Sequence, residues 1–135
     1  MAIASEACGV RAVAIDDSEV FLASMRGLLA GDARVELVGH AYSAREGLDL
    51  IEFFSPDLVL IDVAMPGMNG LTATRLIRKK NNRPRVILMS AYKGAELALA
   101  AMEAGADAFV HKLDLDAQLM PLVAQWFGPT GMSTP

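Results

Sequence analysis

The chain is poor in the features that mark several classes of protein. It has one cysteine, Cys8, so no disulfide can form within the chain, and a reducing, cytoplasmic location is expected. No stretch reaches the roughly 18 successive apolar residues of a transmembrane helix, although 53% of the residues are apolar. Positive charge is not in excess, because 12 Lys and Arg stand against 16 Asp and Glu. The net charge of -4 argues against nucleic acid or a membrane as a direct partner.

One basic cluster interrupts this acidic background. Cations at the end of a helix are usually solvated and interact favourably with the helix dipole, so we interpret the cluster as an exposed helix end. Its members are Arg75, Arg78, Lys79, Lys80, Arg83 and Arg85.

The length of 135 residues suits one domain. Residues 1–10 lack the basic start and continuous apolar core of a signal peptide, so we expect an N-terminal extension. Residues 128–135 are mostly turn and linker types. We therefore expect the ordered domain to cover residues 11–127 and to be followed by a flexible tail or the start of a linker.

Apolar, strand-like runs alternate with helix-like segments along the whole chain. Because the strands are too apolar to be exposed, the alternation predicts an α/β fold, a doubly wound (βα)5 domain with a five-stranded parallel sheet. Its expected strand order is the flavodoxin-like 2-1-3-4-5. We place strands at 12–15, 35–41, 58–61, 85–89 and 108–111, and helices at 19–30, 44–54, 71–80, 95–104 and 116–127.

Three carboxylates follow two of these strands. Asp16 and Asp17 come after the first strand, and Asp62 follows the third. These strands flank the point where the strand order reverses, so the three acids should meet at the ligand-binding edge of the sheet. Grouped carboxylates are costly unless a cation offsets their charge, and oxygen ligands favour Mg2+ or a similar ion such as Mn2+. Since Mg2+ often recruits a phosphoryl oxygen, the pattern predicts a phosphate-handling site.

Two further polar residues follow the fourth and fifth strands. Ser90 follows the fourth strand, and Lys112 follows the fifth. A hydroxyl can donate to a phosphoryl oxygen, and an ammonium can neutralise one.

These residues resemble the receiver domain of bacterial two-component response regulators. Four elements carry the resemblance, in order: Asp16-Asp17, the string DVAMPGMNG at 62–70, Ser90-Ala91, and AGADAFVHK at 104–112. The resemblance implies a regulatory domain, not an enzyme, that accepts a phosphoryl group on an aspartate from a sensor histidine kinase or phosphotransfer protein.

The resemblance also assigns roles around the metal. Asp62 would be the phosphoacceptor and a metal ligand, Asp17 a direct ligand, and Asp16 a ligand through a metal-bound water. The backbone carbonyl of Ala64 would complete the protein's ligands.

The same resemblance implies a switch. Lys112 would pair with Asp62 before the reaction and with the phosphoryl group afterwards, while Ser90 would swing toward that group. Phe109 would then move inward and alter the surface of the fourth helix, fifth strand and fifth helix, which an output domain or protein partner would contact. Homodimerisation on phosphorylation is a further hypothesis.

The chain departs from the common receiver pattern at two places. Leu113 stands where many receivers have a proline preceded by a cis bond. Because a cis bond to a non-proline residue costs about 2.5–4 kcal/mol, the Lys112–Leu113 bond could be trans, which would change the loop beside the site. Ala64 and Tyr92 occupy positions that influence the phosphoryl lifetime in the family, and this pair leaves that lifetime undetermined.

Structural interpretations compete at single residues. Asp16 could cap the first helix, Ser90 could serve only a turn, and Phe109 could be an ordinary core aromatic.

Other function classes fit less well. A flavodoxin-like electron carrier would have Asp16 and Asp17 repel its flavin phosphate, and a phosphatase of the haloacid dehalogenase type expects an aspartate where Ala64 stands. The closest alternative is a receiver fold that acts as a binding or dimerisation module without phosphorylation.

Overall fold

The computed structural model describes residues 9–80 and 83–128. In this range five parallel strands form one sheet with the order β2-β1-β3-β4-β5, which confirms the predicted fold class. The strands are β1 (Val10–Ile15), β2 (Val35–Ala41), β3 (Leu58–Asp62), β4 (Arg85–Ser90) and β5 (Ala108–His111). The helices are α1 (Glu19–Ala30), α2 (Ala44–Phe54), α3 (Gly70–Lys80), α4 (Ala95–Glu103) and α5 (Leu115–Phe127), and a 3-10 turn spans Lys112–Asp114.

Hydrophobic clusters cover both faces of the sheet. Alternate residues of β1 serve different clusters: Ala12 and Ala14 pack with the helices α1 and α5, whereas Val13 and Ile15 pack with α2, α3 and α4. Both faces of this strand are buried, which is why its sequence is a continuous apolar run rather than an alternation.

Most element boundaries match the sequence-based expectation within one or two residues. β1 starts earlier than expected, at Val10, because Val10 pairs with Val35 and its N–H donates to the carbonyl of Arg34 at 2.7 Å. The ordered strand therefore begins inside the expected extension. Residues 1–8 and 129–135, which make up most of the expected extension and tail, lie outside the described residues.

The interpretation of the basic cluster as a solvated helix end is wrong for Arg78. Its guanidinium donates to the carbonyls of Gly105 and Pro84, each at 2.7 Å, and pairs with Asp107. Arg85 joins this group, with Nη1 3.2 Å from Asp107 Oδ1. Arg78 therefore connects α3 to the loops before β4 and β5.

Across residues 9–80 and 83–128, every helix is too short or too polar to cross a membrane.

Candidate functional site

The carboxyl ends of the parallel strands bring together the polar residues expected there. Asp16 directly follows β1, Asp62 and Ser90 are the last residues of β3 and β4, and Lys112 directly follows β5. In a parallel sheet these ends share one edge, so residues distant in sequence become neighbours.

Three carboxylates form a compact acidic group on this edge. One oxygen from each of Asp16, Asp17 and Asp62 lies within 4.8 Å of the others. Asp16 and Asp62 are buried, with 0% and 4% exposure, whereas Asp17 is exposed. The group thus has two buried carboxylates and one exposed carboxylate, so a cation could reach it from the solvent on the Asp17 side.

Asp16 does not cap the first helix. Its Oδ1 accepts the N–H of Ser18 at 2.8 Å, and it is Ser18 Oγ that caps α1 by accepting the N–H of Phe21 at 3.1 Å. The capping interpretation of Asp16 is therefore wrong. The carboxylate of Asp16 points toward those of Asp17 and Asp62.

Lys112 forms ion pairs with two members of this group. Its Nζ lies 2.6 Å from Asp16 Oδ2 and 3.4 Å from Asp62 Oδ2, so the expected pairing with Asp62 is present but is the longer of the two. The carboxylate of Asp16 is completely buried, and a buried charge needs a counterion most. The ammonium accordingly lies on the Asp16 side.

The second oxygen of Asp16 has a charged neighbour. This Oδ2 is buried, and its counterion is the ammonium of Lys112 at 2.6 Å. Buried carboxylate oxygens normally accept hydrogen bonds or bind a metal. With two further carboxylates nearby, the donor set fits a hard divalent cation such as Mg2+.

The surroundings of Asp62 disfavour the ionised form of its carboxyl group. Burial and then the charge of Asp16 raise its pKa, whereas Lys112 and the N–H of Ala64 act in the opposite direction. The N–H of Ala64 lies 3.4 Å from Asp62 Oδ1, which is a long contact. The net effect is a raised pKa, so a cation would favour the ionised form that a nucleophile requires.

The loop after Asp62 packs closely against that residue. Gly70 begins α3, its N–H donates to the carbonyl of Val63 at 2.9 Å, and a Cβ at this position would collide with the carbonyl of Asp62. Asn69 caps the helix, since its Oδ1 accepts the N–H of Thr72 at 2.9 Å. Only glycine fits at the start of α3 without moving Asp62.

Ser90 is buried and serves a turn in this structure. Its Oγ accepts the N–H of Tyr92 at 2.9 Å, as the turn interpretation predicts. A hydroxyl that accepts one hydrogen bond still has its own proton to donate, so the turn and a role in the site are compatible. Tyr92 itself is 71% exposed, and Ala64 is also exposed.

The segment around Lys112 differs from the proline-containing form expected in many receivers. The Lys112–Leu113 bond is trans, and the chain continues as the 3-10 turn. His111 supports this turn, because its Nδ1 accepts the N–H of Leu113 at 3.2 Å and its Nε2 lies 3.0 Å from the carbonyl of Ala91. Phe109 is half-buried and packs against the cluster shared by α2, α3 and α4.

Sequence reasoning missed one residue of the site, Phe21. The centroid of its ring lies 4.4 Å from Nζ of Lys112. A signal was available: Phe21 is in the first turn of α1, and helix side chains lean toward the N-terminus, which here means toward the ends of the strands. The apolar pattern of α1 concealed this, because Phe21 also packs against the core.

The sequence model of the response regulator receiver domain matches residues 12–123. The match covers most of the chain. The chain therefore belongs to the response regulator receiver domain family, and it is a regulatory module of the two-component signalling type.

Two known proteins similar to this chain are longer than it is. A protein-glutamate methylesterase/protein-glutamine glutaminase from Nocardioides sp. is 37% identical over 106 residues, 77% of this chain and 29% of that protein. The nitrate/nitrite response regulator protein NarL from Escherichia coli K12 is 33% identical over 98 residues, 73% of this chain and 45% of NarL. The chain thus spans less than half the length of these relatives.

Solved structures agree on the fold. The signal receiver domain of the NarL response regulator from Mycobacterium tuberculosis superposes with a TM-score of 0.81 at 30% identity, over 87% of this chain and 95% of that chain. A LuxR-family response regulator from Aurantimonas sp. SI85-9A1 gives a TM-score of 0.82 at 31% identity, over 93% and 90%.

Proposed function

We propose that the domain accepts a phosphoryl group on Asp62 from a sensor histidine kinase or phosphotransfer protein and thereby changes a surface that a protein partner contacts. The observation that supports this most is the convergence of an acidic group, Lys112 and Ser90 on one edge of the sheet. A purely structural receiver would not need three acids at this edge, where they repel one another.

Mg2+ is the proposed cofactor, and Mn2+ could replace it. Asp17 and Asp62 would bind it directly, Asp16 through a water, and Ala64 through its backbone carbonyl. When bound, the ion neutralises the acidic group and binds a phosphoryl oxygen. The grouping of three carboxylates and the solvent-side position of Asp17 support this assignment.

Asp62 would act as the nucleophile. One of its carboxylate oxygens forms a bond to phosphorus as the bond from phosphorus to the donor's histidine nitrogen breaks, and the donor keeps that electron pair. Lys112 would move from Asp16 toward the phosphoryl oxygens and neutralise one of them, which needs only a short displacement. Phosphoryl transfer depends mainly on such positioning and charge stabilisation.

Ser90 and Phe109 would transmit the change. The hydroxyl of Ser90 would donate to the phosphoryl group, and Phe109 would move further into the core. A modification shifts a two-state equilibrium only by its difference in contact energy between the states, and Ser90 with Lys112 would supply that difference.

The partners beyond this step are proposals from similarity. The domain would contact its phosphoryl donor and an output domain or separate protein, and phosphorylation could lead to a homodimer. It would not act on another substrate as an enzyme, nor bind nucleic acid itself. The cytoplasmic location and the assignment of the residues outside 10–127 to an extension and a tail remain predictions.

The decisive experiment is intact mass after incubation with acetyl phosphate and Mg2+. Wild type should gain one labile phosphoryl group, whereas Asp62→Asn and a chelator-treated sample should not. Asp57→Asn, which changes a half-buried aspartate at the opposite edge of the sheet, controls for the loss of a carboxylate. If wild type binds Mg2+ and the beryllofluoride mimic without forming the adduct, the donor must be a kinase or a phosphotransfer protein; if it binds neither, the proposal fails.

A further inference from the structure

We propose that Phe21 is a positioning residue for Lys112, which holds the ammonium between the two buried carboxylates. The inference rests on the proposed function above. Nζ of Lys112 lies 4.4 Å from the centroid of the Phe21 ring. A cation within about 6 Å of an aromatic face is attracted by the negative charge density of that face.

Phe21 belongs to a closed cycle of contacts. Asp16 accepts the N–H of Ser18 through Oδ1, and Ser18 accepts the N–H of Phe21 through Oγ, at 2.8 and 3.1 Å. The Phe21 ring faces Lys112, whose Nζ returns to Asp16 Oδ2 at 2.6 Å. The carboxylate of Asp16 therefore fixes both the helix turn that carries the ring and the ammonium that the ring contacts.

A ring beside the ammonium limits where the flexible lysine side chain can place its charge. The four-carbon side chain of lysine is flexible and presents the ammonium as a compact point charge. Only 15% of the Lys112 side chain is exposed, and the Phe21 ring is one of the groups that lie against its ammonium. The attraction between a cation and a ring face depends little on the exact direction of approach. The ammonium can therefore shift from Asp16 toward Asp62 and stay over the Phe21 ring.

This position also explains why an aromatic ring suits the place better than an aliphatic side chain. Leucine would keep the packing of α1 against the core but would present no negative face to the ammonium. Tyrosine would keep that face. The two substitutions therefore separate the role of the ring in packing from its role toward Lys112.

The test measures Lys112 and the reaction separately. Protons over an aromatic face are shielded, so the ε-methylene protons of Lys112 should move downfield in Phe21→Leu and remain in place in Phe21→Tyr. Phosphorylation by acetyl phosphate with Mg2+ should slow roughly 2- to 30-fold in Phe21→Leu, the range that a cation–π contact supplies, and recover in Phe21→Tyr. Phe127→Leu is the matched control, since Phe127 packs against the same cluster at the far end of α5.

Three results would overturn the inference: unchanged Lys112 shifts in Phe21→Leu, slowing no greater than in Phe127→Leu, or no recovery in Phe21→Tyr. If Phe21→Leu does not fold, Phe21→Met gives the same readouts with a flexible, non-aromatic side chain. Absence of phosphorylation and of beryllofluoride binding in wild type would instead overturn the proposed function. The Lys112 proton shifts would then decide the inference alone.

Discussion

The ammonium of Lys112 lies nearer to Asp16 than to Asp62, at 2.6 Å against 3.4 Å. The two carboxylates share one cation, and Asp62, the proposed acceptor, has the longer contact. Its pKa is raised by burial and by the charge of Asp16.

Asp62→Asn should increase the free energy of unfolding of the metal-free protein at neutral pH. An acid whose pKa is raised in the folded state stabilises the fold only while protonated; that stability is lost as pH rises from the unfolded pKa, about 3.9, through the higher folded pKa. Asparagine does not ionise, so the advantage of the variant should be present at pH 7 and shrink toward pH 4. Urea unfolding in chelator measures it, with Asp49→Asn, an exposed position of α2, as control. A variant no more stable than wild type at pH 7 contradicts the expectation.

Mg2+ should stabilise the domain by mass action. A ligand at 100 times its dissociation constant adds about 2.7 kcal/mol to the free energy of unfolding, and Asp17→Asn should lose most of that gain. Asp49→Asn is again the matched control because both aspartates are exposed and only Asp17 is in the acidic group. Thermal unfolding at a series of Mg2+ concentrations tests this, and an equal metal response in the two variants would remove Asp17 from the ligand set.

Ser90→Ala should leave phosphorylation possible and uncouple it from the distant surface. The substitution removes the acceptor for the Tyr92 N–H, at a cost of about 0.5–1.5 kcal/mol, and removes the donor proposed for the phosphoryl group. Hydrogen exchange in α4, β5 and α5, compared with and without beryllofluoride, should change in wild type and not in the variant. Ser43→Ala, which removes the cap of α2, is the control for lost stability. A wild-type exchange response in Ser90→Ala would disprove the switch.

Gly70→Ala and Gly27→Ala should have opposite effects on stability. A Cβ at Gly70 would meet the carbonyl of Asp62 and the side chain of Leu88, and such crowding costs about 1–3 kcal/mol. A Cβ at Gly27, within α1, meets nothing within 4 Å, so alanine should stabilise the helix by about 0.5–1 kcal/mol. Denaturant unfolding of both variants checks the pair. Gly70→Ala should in addition slow phosphorylation; normal phosphorylation would show that this close packing does not position Asp62.

Arg78→Ala should strongly lower the free energy of unfolding, although Arg78 belongs to the basic cluster at the end of α3. The guanidinium donates to two carbonyls and pairs with Asp107, and loss of such a group costs about 2–4 kcal/mol. Arg75→Ala, at an exposed position of the same helix, should change stability by less than about 0.5 kcal/mol. Equal losses in the two variants, measured by urea unfolding, would mean that the Arg78 contacts contribute nothing.

Much of the fold could be predicted because its signals are local. The apolar runs of β1, β3 and β4 are buried on both faces, and the serines before α1 and α2 cap those helices as such residues commonly do. Boundaries were less exact where a long-range contact decides them. Val10 belongs to β1 because of its pairing with Val35, which no local pattern near Val10 indicates.

The candidate site, like the fold, was predicted from the sequence only in part. The sequence by itself determined which chemical groups end the strands, since a carboxylate, hydroxyl or ammonium after an apolar run is visible in the residue order and parallel strands bring those ends to one edge. Only the tertiary structure decided which groups touch: that Lys112 lies on Asp16, that Phe21 faces it, and that Arg78 is tied to Asp107. These contacts join residues far apart in the chain, and their distances depend on burial and packing from several elements at once.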